Sequence, residues 1–310
     1  MSGTAILCSG QGLQGRGMFD LVAREPKAEP VFKAAGIALE GHDPRDLVKT
    51  GSDGDLHGNK VAQILCCTQA LAVWSVLDEV LARPLVVAGY SVGEVAAWGV
   101  AGVVDAATLF ALAAARADAM DAATKQPAGL LSIRGLSRHD VDAICEATHT
   151  HIAIIDGPET FLIGGTDGSL KAAAKDADAH GAQHTTRLAV TVPSHTPLLQ
   201  AATGAFRKVL HERVPHVKIA GDIRLLIGID GNAVFSDAGL DKLAEQIART
   251  VNWVACMDSC QESGVTKAIE FGPGAALANF MREHVPDLAT HSVSEFHSLD
   301  GLKQWLSSER

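Results

Sequence analysis

Three side chains in this sequence are of types that together could carry an acyl group: Ser91, His195 and Arg116. Ser91 lies in Gly89-Tyr90-Ser91-Val92-Gly93-Glu94, a G-x-S-x-G pattern. Its two glycines let a strand turn sharply into a helix with the serine at the apex. The hydroxyl is then exposed, and the Val92 amide, at the positive end of the new helix, points at a developing oxyanion. The chemistry this suits is nucleophilic attack on a carbonyl, which requires a base. The same spacing also arises by chance at ordinary strand-to-helix turns. Here the flanks supply the context a nucleophile elbow needs: Leu85 to Ala88 read as a short buried strand, and the residues after Ser91 turn helical and Ala-rich.

A loop histidine is most often simply solvated, and most of the 13 histidines fall in polar loops. His195 differs, because Val192-Pro193-Ser194-His195-Thr196-Pro197 holds it between two prolines. It is the best candidate for the base. Arg116 sits in the apolar run Ala111-Leu112-Ala113-Ala114-Ala115-Arg116-Ala117. Such an arginine usually snorkels to solvent. A buried one needs a carboxylate or phosphate partner, and a substrate could supply it. A third feature is the loop Ser9 to Gly17, with four glycines after the strand Thr4 to Cys8. It suits an anion or oxyanion role for backbone amides. A dinucleotide fingerprint is one alternative, though no convincing acidic residue closes a second strand downstream; a plain tight turn is the other.

The elements that must position these groups alternate between strand and helix. Residues 18 to 58 read as short helices and surface loop, and Asn59 is placed to cap a long amphipathic helix ended by Arg83-Pro84. A second helix runs from about Asp105 to Asp121. From about Gln126 the character changes: strand Gly129 to Ile133, helix Ser137 to Ala147, strands Ile152 to Ile155 and Phe161 to Gly164, helix Asp167 to His180, strand Thr185 to Val190. That β-α-β-β-α-β order is ferredoxin-like and reads as a self-contained lobe. Residues 126–191 are therefore expected to be an inserted small subdomain, and 1–125 with 192–310 a large α/β domain with a parallel sheet. His195 then falls where the lobe rejoins the parent, with a helix from His195 or Thr196 to about Arg213. The remainder reads as strand Leu225 to Ile229, helices Leu240 to Arg249 and Trp253 to Glu262, strand Thr266 to Phe271, and helix Ala275 to His284. A final strand spans Ala289 to Val293. Gly272-Pro273-Gly274 forms a second tight crossover at the sheet's carboxyl edge, where α/β active sites collect.

Composition narrows the class. A hydrophobic share of 47% with 20% charged residues in 310 residues is that of an ordinary globular enzyme. The net charge of −10 argues against a nucleic-acid or anionic-membrane partner. No leader opens the chain and no apolar run approaches a membrane span, so the cytosol is the expected compartment. The six cysteines, Cys8, Cys66, Cys67, Cys145, Cys256 and Cys260, show no Cys-x-x-Cys and no neighbouring histidine pair. They are expected to be reduced core residues, and no metal site is expected.

G-Q-G-x-Q near the start, G-x-S-x-G-E at the elbow, R-x-x-x-M in the second helix after it, V-P-S-H after the small lobe and E-x-G-P-G late in the chain occur together and in order. This set resembles the malonyl-CoA:acyl carrier protein transacylase family over nearly the whole chain. Within it, G-Y-S-V-G-E-x-A-A-W-G-V-A-G and L-L-x-G-I-D-G resemble the transacylase (epsilon) subunit of malonate decarboxylase. The resemblance implies an acyltransferase fold with Ser91 as acyl-carrying nucleophile and His195 as its base. It implies that Arg116 binds the free carboxylate of malonyl, that the Gln11 and Val92 amides form the oxyanion hole, and that Asn252 supports His195 through its backbone. It also implies no permanently bound cofactor: the substrates are a coenzyme A thioester and the prosthetic-group thiol of an acyl carrier protein, with other malonate decarboxylase subunits as further partners. Three positions depart from the family pattern. Tyr90 replaces a histidine, Ser9 a proline, and Asn252 a longer side chain. They set the chain apart from a housekeeping transacylase of fatty-acid synthesis, which is the alternative.

Other classes share parts of the pattern. An α/β-hydrolase esterase would place an acid and then a late histidine after the serine. A patatin-like hydrolase would use Asp156-Gly157 or Asp230-Gly231. A docking subunit with a vestigial acyl site is the non-enzyme reading.

Overall fold

The computed structural model describes residues 3–308. Its strands, in chain order, are β1 (Gly3–Cys8), β2 (Leu85–Gly89), β3 (Ala128–Arg134), β4 (His151–Gly157), β5 (Thr160–Thr166), β6 (His184–Arg187), β7 (Ile223–Leu225), β8 (Val251–Asn252), β9 (Val265–Phe271) and β10 (Ala289–Ser292). One sheet, in the order β10-β9-β1-β2-β7, is parallel throughout. Parallel sheets are covered on both faces, which is why β1 and β2 are buried at every residue. From β1 the chain moves to β2 on one side, while β9 lies on the other. The carboxyl ends of β1, β2 and β9 therefore flank a crevice at a topological switch point, where open α/β sheets bind ligands. The glycine-rich loop, the elbow and Gly272-Pro273-Gly274 leave the sheet there.

The second sheet, in the order β6-β3-β5-β4-β8, is antiparallel apart from the parallel β4–β8 pair. Its first four strands have the ferredoxin-like β-α-β-β-α-β connectivity expected. The two-residue β8 comes from the later chain and extends the sheet, so the lobe is tied to the parent by main-chain pairing. Side chains alternate across this sheet. Leu131, Ile133, Phe161 and Ile163 pack in a small core with Val141, Ile144 and Leu170 of its helices, whereas Leu130, Ser132 and Leu162 face the cleft between the sheets.

Several expected boundaries move, each for a local reason. The strand expected at Leu225 to Ile229 ends at Leu225, because the chain folds back there and Leu226 bridges Ala233. β6 stops at Arg187, whose guanidinium reaches across to the carbonyls of Leu130 and Ala128. The helix expected from His195 or Thr196 begins only at Gln200, after a short turn Pro197–Leu199; His195, at φ 63°, is not in a helical conformation. Asn59 does not cap the long helix Asn59–Leu77, whose N-cap is Gly58. Its amide instead donates to Ala117 O and Asp121 Oδ1 on the helix Ala106–Ala123. Residues 59–80 are also long and apolar enough to cross a membrane, against the expectation that no run approaches a span, and most of that stretch is buried inside the fold. All six cysteines are buried and free.

Candidate active site

The elbow requires close approach. A Cβ on Gly89 would lie 2.2 Å from the backbone of Glu94, and one on Gly93 would lie 2.0 Å from Cys8 O. Only glycine lets β2 reverse into the helix Gly93–Val100 against β1. Ser91, at the apex, is held at φ 57°, a left-handed conformation that a non-glycine residue adopts at a cost of roughly 1–3 kcal/mol.

The structure brings Ser91 and His195 together across 104 residues of sequence: Ser91 Oγ lies 2.8 Å from His195 Nε2. His195 Nδ1 lies 2.6 Å from the carbonyl oxygen of Gln246. A carbonyl only accepts, so Nδ1 carries the proton, and in the neutral ring Nε2 is left to accept from the Ser91 hydroxyl. The imidazole is neutral: burial, and next the positive charge of Arg116, push it down to about 3. A backbone carbonyl thus does the orienting that a carboxylate does in a Ser-His-Asp triad.

That carbonyl corrects the expectation for Asn252. The Asn252 side chain accepts from Ala255 N and caps the helix Trp253–Glu262; it makes no bond to His195. Gln246 takes the role because the helix Ala238–Glu245 tightens into a 3-10 turn at Gln246–Ala248. There the Gln246 and Ile247 carbonyls accept from His195 Nδ1 and its backbone N–H.

Arg116 is buried, and two neutral carboxamides hold its guanidinium: Nη1 donates to Gln63 Oε1 at 2.8 Å and Nη2 to Gln246 Oε1 at 3.0 Å. Its Nε is buried without a partner, and among the described residues Arg116 makes no ion pair. Burial lowers it only to about 10, so it remains a cation. Arg116 is not on the cavity wall, whereas Ser91, His195 and Gln11 are. That cavity, about 590 Å³, lies between the two sheets and is lined by the glycine-rich loop, Tyr90, the cleft face of β3 to β5 and the helix Ala276–His284. Its size is that of a small-molecule site. Neither the Gln11 nor the Val92 amide donates to another group of the described residues. Both remain available as donors beside Ser91.

The sequence assigns no role to Gln246 or Gln63, and Glu94 enters it only as the last residue of the elbow motif G-x-S-x-G-E. Gln63 carries a faint signal as a polar residue within an apolar helix, but Gln246 carries none, since its part is played by backbone and amide. Tyr90 is built into the cavity: its hydroxyl donates to Asp156 Oδ2 at 3.2 Å, and its ring packs edge-on to Trp253. Neither aspartate of the patatin-like reading bonds Ser91. Asp156 is engaged by Tyr90, and Asp230 pairs with Lys242. No group of His, Cys, Asp and Glu with metal-holding geometry occurs among the described residues.

Known proteins resemble this chain over nearly its whole length. The family model described as acyl transferase domain matches residues 6–238. The chain is 26% identical over 97% of its length, and 98% of the relative's, to a malonyl CoA-acyl carrier protein transacylase of Haemophilus influenzae. An acyl-carrier-protein S-malonyltransferase of Burkholderia pseudomallei superposes with a TM-score of 0.87 at 30% identity, covering 97% of this chain and 99% of that one. A malonyl-transacylase solved in complex with a holo type II PKS acyl-carrier protein superposes with a TM-score of 0.89 at 27% identity, covering 98% and 99%.

Proposed function

The chain belongs to the acyl transferase domain family, and from that premise we propose that it moves a malonyl group between coenzyme A and an acyl carrier protein thiol through an ester on Ser91. The observation that carries the malonyl part is Arg116, a buried cation next to the Ser91–His195 pair that makes no direct ion pair with any carboxylate of the described residues; Glu94 acts on it only across Gln246. A buried guanidinium is stable when an anion completes its donors. The free carboxylate of a malonyl thioester brings that anion, and three of the five guanidinium N–H groups, the one on Nε among them, have no partner among the described residues.

The chemistry proceeds in two halves. Ser91 Oγ attacks the thioester carbonyl as its proton passes to His195 Nε2, and the Gln11 and Val92 amides receive the oxyanion. Collapse breaks the C–S bond, and the imidazolium returns its proton to the departing thiolate. The carrier thiol then attacks the Ser91 ester by the same steps in reverse. Its proton goes to His195 and finally to Ser91 Oγ. No tightly held cofactor enters this scheme.

The named relatives favour a general malonyl transacylase, such as one serving fatty-acid synthesis. The finer assignment to malonate decarboxylase rests on the runs Gly89 to Gly102 and Leu225 to Gly231 alone. In that setting the carrier would be the decarboxylase's own and the other subunits would be partners.

Initial rates with malonyl-CoA and a holo acyl carrier protein as the two varied substrates test the proposal. Double-reciprocal plots are expected to be parallel, because the first thiol leaves before the second enters. Lines intersecting to the left of the axis would require the thioester and the carrier thiol to be bound at once and would count against the ester intermediate.

A further inference from the structure

Glu94 is completely buried directly beneath the elbow, yet it makes no ion pair among the described residues. Its Oε2 accepts from Gly228 N at 3.0 Å and from Gln246 Nε2 at 2.7 Å. Its Oε1 is buried without a partner. Burial pushes the carboxyl up to about 7. A side chain kept only to fill space would not be a carboxyl group with an orphaned oxygen, because that burial is costly. The fold makes room for it: a Cβ on Gly228 would lie 2.7 Å from Glu94 Oε2.

The other end of the contact shows what the carboxyl does. Gln246 Nε2 is shared between Glu94 Oε2 and the backbone carbonyl of Ser91, at 2.7 and 2.9 Å. Both are acceptors, so the nitrogen of the carboxamide must face them. Its oxygen then faces Arg116 Nη2, which can only donate. The chain Glu94 Oε2, Gln246 carboxamide, Arg116 guanidinium is thus polarised in one direction. It sets the plane of the Arg116 guanidinium, and with it the direction of the N–H groups on Nε, Nη1 and Nη2 that have no partner among the described residues. The Ser91 carbonyl receives two N–H groups, since the Glu94 amide also donates to it, and it cannot hold Gln246 as firmly alone.

We propose that Glu94 is a positioning residue that acts through Gln246 to hold the Arg116 guanidinium in register with Ser91, and so sets the preference for an acyl group bearing a carboxylate over one without. The inference rests on the malonyl reading above, in which Arg116 meets the substrate carboxylate. Glu94 touches neither substrate nor the reacting atoms.

The test compares kcat/KM for malonyl-CoA and acetyl-CoA in wild type, Glu94→Leu and Glu94→Gln. Glu94→Leu keeps the volume but removes the acceptor. It is expected to lower the malonyl value about tenfold or more, mainly through KM, while the acetyl value stays within about twofold. Glu94→Gln retains an acceptor oxygen and is expected to restore most of the ratio. If Glu94→Leu does not fold, Gln246→Met removes the carboxamide from the other side and is expected to show the same loss of ratio. An unchanged ratio, or equal losses for both thioesters, would overturn the positioning role. A wild type with no preference for malonyl would instead overturn the reading of Arg116 on which it rests, so the two failures are distinct.

Discussion

Replacing His195 with alanine is expected to reduce malonyl transfer by a factor on the order of 10⁴ to 10⁶, the range seen when one member of a catalytic triad is removed. The size follows from the geometry: among the described residues Nε2 is the one base bonded to Ser91 Oγ, at 2.8 Å, and no carboxylate takes its place. The loss is expected in kcat, because His195 is not a substrate ligand. The pH dependence separates this base from an ordinary histidine. Free imidazole titrates near ~6.5, but burial and then Arg116 hold His195 at about 3. The neutral base is therefore present as pH falls through ~6.5, and it is lost only as pH approaches its folded value. The first acyl half-reaction of the wild type, followed as a burst of released coenzyme A, is expected to show no acid limb belonging to His195 between about pH 5 and 8. A limb near ~6.5 that disappears in His195→Ala would contradict the assignment. Stability runs with the opposite cost. The unfolded chain takes a proton on this histidine below ~6.5 and the folded chain does not. Its contribution is therefore full above that value and falls as pH drops toward about 3.

Arg116→Ala carries the second large effect. A buried ion pair broken on one side costs about 3–5 kcal/mol, which is about 10² to 10³-fold or more in kcat/KM at ~1.4 kcal/mol per decade. The whole of it is expected to fall on malonyl-CoA. Acetyl-CoA has no carboxylate to lose a partner, and its turnover is expected to hold or improve as the uncompensated cation is removed. Steady-state rates with both thioesters on the purified variant measure this. Equal losses for the two would show that the guanidinium supports the fold through Gln63 and Gln246 and does not bind the acyl carboxylate.

How much of this was legible in the sequence depended on whether the information was local. The elbow was, because strand, glycine spacing and helix lie within 16 residues, and the pattern is the geometry. The ferredoxin-like lobe was legible from alternation of strand and helix. His195 was found through its prolines and its position, although the sequence predicted a helix where the backbone at φ 63° forbids one. Asn252 was misplaced for a physical reason. What orients the imidazole is a carbonyl, which every residue owns, so no side chain marks Gln246 as its holder. Long-range pairing was hidden too. β8 joins the small sheet, and Glu94, Gln246 and Arg116 meet in space although more than a hundred residues separate Glu94 from Gln246. Burial of a polar side chain is decided by the fold around it, and the spacing of its neighbours does not reveal it.

The most direct test of the central claim is intact-protein and peptide mass spectrometry of the enzyme after brief exposure to malonyl-CoA with no carrier present. The expected result is one malonyl group per chain, mapped to the peptide containing Ser91, absent from Ser91→Ala, and discharged when a holo acyl carrier protein is added. A wild-type enzyme that transfers malonyl to the carrier while carrying no adduct, or one that carries it on a residue other than Ser91, would contradict the account.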